Sequence, residues 1–237
     1  MGATSEHISK QFEADLDTTR TRVLQMGGLV EAQILSAIDA FVSGDAQLAD
    51  QVVENDARVN GYEVAIDGAC NSIVVKRQPA ASDLRLIMAI AKIVTDIERI
   101  GDEAKKIARM AKRLHEHGPQ HAQHFPTIRH AAQVAVKMLR QALDAFARLD
   151  AASAAGVLRE DKEIDSEFRS VLRLLITYMM EDPRTITPAL DIIWVAKAVE
   201  RIGDHSKNIA EQVIYIVKGT DVRHTSFADV EREIGKG

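Results

Sequence analysis

One cysteine, Cys70, is too few for a disulfide within the chain, and such usage fits a reducing compartment. Aromatic residues are scarce, 4% of the total with a single tryptophan at Trp194. A core therefore has to be built from Leu, Ile, Val, Met and Ala, a mixture that favours helices. Only five prolines occur (Pro79, Pro119, Pro126, Pro183 and Pro188), and they mark breaks between long uninterrupted stretches. A basic surplus is absent too. The 30 Lys and Arg stand against 35 Asp and Glu, and a formal charge of −5 argues against a nucleic-acid binder. No purely apolar run approaches the ~20 residues that span a bilayer, and the N-terminus lacks a basic-then-apolar signal pattern. The expectation is a soluble cytoplasmic protein, peripheral to a membrane at most.

What the chain does have is repetition. "AIDAFVSGD" from Ala37 to Asp45 aligns with "ALDAFARLD" from Ala142 to Asp150, an offset of 105 residues. The same offset pairs Asp56 with Asp161, Val59 with Ile164 and Asn60 with Asp165. Further on, "ERIGDEAKKIA" (Glu98 to Ala108) and "ERIGDHSKNIA" (Glu200 to Ala210) share eight of eleven positions at an offset of 102. Two halves, 1–118 and 119–237, follow one plan. The seam lies in "EHGPQHAQHFP", and the three-residue difference falls near "KRQPAASD" and "EDPRT".

Each half reads as three long helices. In the first, Val23, Met26, Val30, Ile34, Ala37 and Phe41 follow the spacing of an amphipathic helix. Gly44 and Asp45 then break and restart the chain, with Asp45 as N-cap. The second helix carries Val52, Val59, Ile66 and Ile73 and ends before Pro79. The third has a continuous seam through Leu86, Ile90, Ile93, Ile97, Ile100, Ala104, Ile107, Ala111 and Leu114. The second half repeats this over 128–149, 151–180 and 188–217. Helices of ~30 residues are ~45 Å long, and short loops make successive helices antiparallel. The prediction is all-α: two tandem antiparallel three-helix bundles, six long helices in total.

The isoleucine seam sets the phase of the duplicated motif. With Ile97 and Ala104 at heptad position a and Ile93, Ile100 and Ile107 at d, Glu98 falls at b and Asp102 at f. Val199 and Ile202 place Glu200 and Asp204 identically, so both pairs are expected on the outer face of their bundles. Two acids at i and i+4 repel by roughly 0.2–0.5 kcal/mol. Relief by Lys105, Lys106 and Lys207 would make this an ordinary solvated face. Yet Gly101 and Gly203 each cost ~1 kcal/mol relative to Ala and point to close approach by a neighbour or ligand. The other reading is chelation. Glu98/Asp102 with Asp56/Asn60, and Glu200/Asp204 with Asp161/Asp165, offer one multi-ligand site per bundle. Such oxygen donors suit hard ions such as Mg²⁺, Mn²⁺ or Fe³⁺.

Several stretches taken in order carry a resemblance: "MGGLVEAQI", "EVAIDGAC", "KRQPAASDLRLIM", "ERIGDEA", "REDKEID", "TYMMEDPRTI", "ERIGDHSKNIAEQVIYIVKG" and "DVRH". Together they resemble the PhoU family of accessory regulators of phosphate uptake, over nearly the whole chain. The resemblance implies two tandem three-helix bundles and a cytoplasmic adaptor, not an enzyme. Its implied partners are the ATPase subunit of a phosphate ABC transporter, a membrane phosphate-sensing histidine kinase and a second copy of itself. Such an adaptor represses the phosphate-starvation response when phosphate is plentiful. The resemblance also implies metal ions (Fe, Mn, Mg or Zn) at E/D-x-x-x-D motifs, which map onto Glu98/Asp102 and Glu200/Asp204. Asp56 and Asp161/Asp165 match further acidic positions, and Asn60 departs from a strict acidic pair.

The competing class is enzymatic, a signalling phosphatase or a carboxylate-metal enzyme. Di-iron bundle enzymes use Glu-x-x-His pairs facing the interior, whereas here the partner is Asp at i+4, and no phosphate-cradling Gly-rich loop appears. Among other features, Lys105, Lys106, Arg109, Lys112 and Arg113 form a basic stripe that the second half lacks, a solvated face or a docking surface. His115, His117, His121, His124 and His130 gather near the seam without a spacing that joins them to a carboxylate. Cys70 is expected in the core, Trp194 at a packing contact or interface, and Gly219–Gly237 as a short polar tail.

Overall fold

The computed structural model describes residues 2–116, 125–223 and 225–235. The first repeat is α1 (Gly2–Ser43), α2 (Ala46–Arg77) and α3 (Ala81–Glu116). The second is α4 (Phe125–Arg148), α5 (Ala151–Glu181) and α6 (Ile186–Lys218), and a short α7 (Phe227–Ile234) follows. A 3₁₀ turn (Pro183–Thr185) leads into α6, and no strand occurs among the described residues. The fold is all-α, two tandem three-helix bundles as expected from the periodicity. The proposed boundary at 118/119, with His117, His121, His124 and the His of "DVRH", lies outside the described residues.

Matching chemistry starts matching helices. Asp45 caps α2 by accepting from Leu48 N at 3.0 Å. Asp150, 105 residues on, caps α5 by accepting from Ala152 N at 2.9 Å and Ser153 N at 3.0 Å. The residue before each cap is left-handed, Gly44 at φ 76° and Leu149 at φ 52°. Glycine adopts that conformation freely, whereas a leucine there carries about 1–2 kcal/mol of strain.

The isoleucine seam is the core. Ile90, Ile93, Ile97, Ile100 and Ile107 of α3 have no exposed surface, and Ile192, Ile202 and Ile209 repeat this in α6. A fully buried side chain of this size contributes roughly 1.5–3 kcal/mol. Among the described residues α3 packs most extensively against α6, and α1 also packs on α4, so the two repeats share one continuous core. Residue pairing shows that α3 and α6 run antiparallel: Arg85 Nε donates to Ile216 O (3.2 Å), His205 Nδ1 meets Asp96 (2.8 Å), Arg201 meets Glu103 (2.9 Å) and Arg113 meets Asp191 (3.1 Å). α2 and α5 sit on the two flanks, each against its own repeat.

An 18-residue window within Gln11–Ser43 of α1 reaches a mean hydropathy of 1.2, so by length and composition α1 could cross a membrane. Half of that window is buried in the bundle, however, and Val23, Met26, Val30, Ile34 and Phe41 supply core contacts with no exposed surface. Withdrawing α1 would open the first repeat.

The tail is more ordered than its polarity suggests. Ser226 caps α7 by accepting from Asp229 N (3.3 Å), its hydroxyl donates to Asp229 Oδ2 (2.5 Å), and Val230 is buried where α7 packs on α5. Eight residues are too few to show a helical period, but the Ser-x-x-Asp box was its signal. Cys70 is in the core, where burial pushes its thiol up to about 11. Trp194 is 55% exposed and packs into no core.

The two mid-helix glycines face α2 and α5. A Cβ on Gly101 would sit 3.4 Å from Val59 Cγ1, and one on Gly203 would sit 2.8 Å from Ile164 Cδ1. Val59 and Ile164 are equivalent residues of the two repeats, so the expected close approach is made by a neighbouring helix. Gly101→Ala gains about 1 kcal/mol of helix propensity with little crowding. Gly203→Ala must turn Ile164 off its preferred rotamer, which offsets that gain by about 0.5–1.5 kcal/mol. Urea unfolding is expected to rank Gly101→Ala above Gly203→Ala; the reverse order would sink this account of the packing.

Candidate functional site

Helix α2 has an inward stripe at Val52, Asp56, Val59, Glu63, Ile66, Cys70 and Ile73, with Glu63 half-buried and the others buried. Two of its positions are acids, and they face the Glu98–Asp102 turn of α3. Lys105 Nζ lies between the helices, 2.5 Å from Asp56 and 2.6 Å from Asp102. Arg99 stands further off, 3.7 Å from Glu98 and 3.9 Å from Asp102. Four carboxylates (Asp56, Glu63, Glu98 and Asp102) thus line one groove beside two cations.

The expectation of an open outer face needs correction. Phasing does take the pairs off the isoleucine seam, but the Glu98 side chain is only 16% exposed, Glu200 12% and Asp102 35%. The reason is geometric. α3 packs on α1, α2 and α6 at once, so positions flanking its seam are covered by a second neighbour. The acids lie in half-buried grooves between helices.

Asn60 is not brought to the groove. It stands one residue past the inward stripe, on the exposed face of α2. Glu63 takes its place, a residue that pattern reading missed although Glu63 and Asp67 repeat the Glu-x-x-x-Asp spacing of the motif itself. Asp67 is exposed but close enough to act on Glu63.

The second groove has the same plan with altered parts. Lys207 Nζ contacts Asp161 at 2.8 Å, as Lys105 contacts Asp56. Lys197 holds both oxygens of Glu200, at 2.6 and 2.5 Å, and lies over the Phe168 ring at 5.2 Å. Phe168 occupies the position of Glu63, so an aromatic ring under a lysine replaces one carboxylate. Asp165 pairs with the exposed Arg169 at 3.3 Å. Asp204 completes the set, half-buried among Glu200, Asp161 and Asp165.

Titration behaviour reflects this crowding. Burial, then Asp102 and Glu63, hold the Glu98 carboxyl above its ordinary value. Burial followed by Asp67 does the same to Glu63, and burial followed by Glu200 and Asp161 to Asp204. Burial disfavours the Lys105 ammonium, but its bonds to Asp102 and Asp56 outweigh that and raise its pKa. Lys207 is raised in the same way, with Asp161 as the bonded partner. The local excess is negative in both grooves. The donors are all hard oxygens, which fits the chemistry of Mg²⁺-, Mn²⁺- or Fe³⁺-type ions. Among the described residues, though, no three His, Cys, Asp or Glu side chains converge on one point. Lysine ammoniums occupy the spaces between them.

Lys106 does not relieve the motif as anticipated; it bonds Glu103 at 2.7 Å. Of the histidines, His115 Nε2 meets Phe41 O at 3.0 Å, and His130 is exposed.

One buried acid, Glu211 of α6, was not anticipated. Burial raises its pKa to about 7 despite Lys207 and Arg223 nearby. The folded chain therefore holds this proton more tightly than the unfolded chain, whose value lies near 4.5. The stability it contributes is full below about pH 4.5 and is lost as pH rises through about 7. Glu98, Glu63 and Asp204, whose carboxyls are also raised, act in the same direction. The melting temperature is expected to rise from about pH 8 to about pH 5.5. Glu211→Gln should flatten that rise and melt higher than wild type at the alkaline end. Parallel wild-type and variant profiles would exclude the assignment.

With this geometry in place, comparison with known proteins gives a consistent answer. The profile of the PhoU domain matches twice, over residues 23–111 and 128–213. The phosphate-specific transport system accessory protein PhoU homolog of Pseudomonas aeruginosa is 50% identical over 230 residues, covering 97% of this chain and 95% of that protein. The phosphate-specific transport system accessory protein PhoU of Escherichia coli is 46% identical, covering 96% and 94%. The crystal structure of PhoU from Pseudomonas aeruginosa superposes with a TM-score of 0.84 at 51% identity, covering 88% of this chain and all of that one.

Proposed function

The chain belongs to the PhoU family, and on that premise we propose that it is an accessory regulator of phosphate transport. In this reading it acts in the cytoplasm as an adaptor between a phosphate ABC transporter and a membrane histidine kinase, and represses the starvation response when phosphate is abundant. The observation that carries the reading is similarity along nearly the whole chain to proteins named as accessory to phosphate-specific transport. The core role of α1 argues against its insertion in a membrane, because its apolar side is already in use.

The two acidic grooves are the second part of the proposal. Asp56, Glu63, Glu98 and Asp102 would hold a hard cation in the first repeat, and Asp161, Asp165, Glu200 and Asp204 in the second. A bound ion there supplies positive charge that relieves the repulsion among carboxylates and ties α2 to α3, or α5 to α6. For a cation to enter, Lys105 or Lys207 has to give up its carboxylate, which long flexible lysine side chains can do. The grooves are given a structural and regulatory part, with no reaction assigned to them.

Both halves can be tested separately. Untagged protein prepared with Mn²⁺ or Fe present is expected to carry metal by elemental analysis and to melt higher than metal-free protein. Glu98→Ala/Asp102→Ala should lose the metal of the first groove and part of that rise. Wild type without metal under these conditions would dispose of the cation proposal and leave the adaptor untouched. Deleting the gene is expected to switch on a phosphate-starvation reporter in high phosphate. Unchanged repression would count against the regulatory role, and faster loss of phosphate from the phosphorylated kinase in the presence of pure protein would favour a phosphatase.

A further inference from the structure

Between the two acidic grooves, on the line where α3 meets α6, lies a cavity of about 260 Å³ of opposite character. Every lining residue is charged: Arg99, Lys105, Lys106, Arg109 and Arg201, with Asp102 and Glu103. We propose that this cleft binds a phosphoryl oxyanion, and a short linear chain of phosphoryl groups more tightly than a single phosphate.

The two carboxylates hold the cations in place. Glu103 is 4% exposed and receives Lys106 at 2.7 Å and Arg201 at 2.9 Å, while Asp102 holds Lys105 at 2.6 Å. An ammonium has three N–H donors and a guanidinium five, so each anchored cation has donors left for a ligand. Arg99 is held only by long contacts of 3.7 and 3.9 Å. Arg109 is exposed, one helical turn beyond Lys106. Lys105 and Arg99 are shared with the acidic groove, but Lys106, Arg109 and Arg201 against Glu103 still leave a positive cleft on a protein whose formal charge is −5.

The lining selects the ligand class. With no apolar side chain in the wall, an acyl chain finds nothing to pack against, and the donors on all sides favour a ligand rich in charged oxygens. A small ligand with charged oxygens on every side is what such a wall suits, and arginine forks match phosphoryl oxygens in pairs. Arg99 and Arg109 are ten residues apart, about 15 Å along the helix axis. That span favours two or three linked phosphoryl groups over one.

The repeat supplies an internal comparison. At the offset of 102, Lys106, Arg109, Lys112 and Arg113 correspond to Asn208, Glu211, Ile214 and Tyr215. The fold therefore builds a third helix of a repeat without this basic extension. Lys112 and Arg113 are engaged with Asp50 (2.5 Å) and Asp191 (3.1 Å), which leaves the part around Arg99, Lys106, Arg109 and Arg201 as the cleft.

The test is calorimetric titration of metal-free full-length protein, at about 0.15 M ionic strength so that weak surface attraction is screened. The titrants are sodium tripolyphosphate, orthophosphate and sulfate. One saturable site is expected for tripolyphosphate, with weaker binding of orthophosphate and weaker still of sulfate. Arg99→Gln/Arg109→Gln, which spares the buried Glu103 pairs, should weaken tripolyphosphate by about tenfold or more, whereas Arg148→Gln/Arg173→Gln elsewhere on the surface should change it by less than about twofold. The proposal is overturned by the absence of saturable binding, by equal losses in the two double variants, or by sulfate binding as tightly as tripolyphosphate. Because no metal is present and no cellular readout is used, these outcomes are independent of the cation and adaptor proposals.

Discussion

The flanking helix of each repeat lies against the third where Val59 crosses Gly101 and Ile164 crosses Gly203, a contact close enough at Gly203 to exclude a Cβ and just open enough at Gly101 to admit one. Once α2 is that close to α3, side chains on its inward stripe can no longer reach bulk water and must find partners on the facing helix. Asp56 finds Lys105 and Asp161 finds Lys207, at equivalent places. The charge pattern of the molecule follows from this contact. Acids at positions that would be solvated on a lone helix become half-buried neighbours, and lysines of the next turn are drawn in between them.

Such an arrangement is not what stability alone would choose. Replacing buried ionic groups by well-packed apolar ones is often neutral or favourable, and the second repeat shows how little that would disturb the fold. Phe168 stands where the first repeat has Glu63, and the helices still pack in the same way. Glu63, Glu98 and Asp204 keep carboxyl groups that burial and neighbouring acids raise from their ordinary values, so the folded chain gives up stability to keep them ionised near neutrality. A cation in the groove would recover part of that loss, which connects the duplicated motif to ion binding without invoking a reaction.

The fold was legible because its signals are periodic and duplicated. The isoleucine seam, the caps at Asp45 and Asp150 and the repeated segments each bear on the same six helices. The site was legible only in part. Heptad phase tells which residues leave the seam, but it does not tell how many neighbours a helix has. Glu98 was therefore expected in solvent and is found under α2. Asn60 was paired with Asp56 by one-turn spacing, yet on an inward stripe of 3-and-4 steps the next acid is Glu63. Partner choice among lysines was least legible: Lys105 and Lys106 are adjacent in sequence, yet Lys105 joins Asp56 of α2 to Asp102 while Lys106 stays with Glu103 on its own helix. That sorting depends on which side of α3 is covered by α2, which no local pattern encodes.

Lys105 belongs to both kinds of site. Its ammonium is bonded to Asp56 and Asp102 in the acidic groove, and its side chain also lines the basic cleft beside α6. Asp102 likewise faces both. A positive charge placed among Asp56, Glu98 and Asp102 competes with Lys105 for the same oxygens and leaves its ammonium to the cleft, where it adds to the attraction for an anion. By the reciprocity of linked binding, an anion that engages Lys105 loosens its hold on Asp56 and Asp102 by the same free energy and eases entry of a cation. The second groove has no such link, because Glu211 and Asn208 replace the arginine and lysine beyond its motif. The duplicated halves therefore share a fold and an acidic groove, while any coupling of a cation to an anion through a shared lysine would be confined to the first.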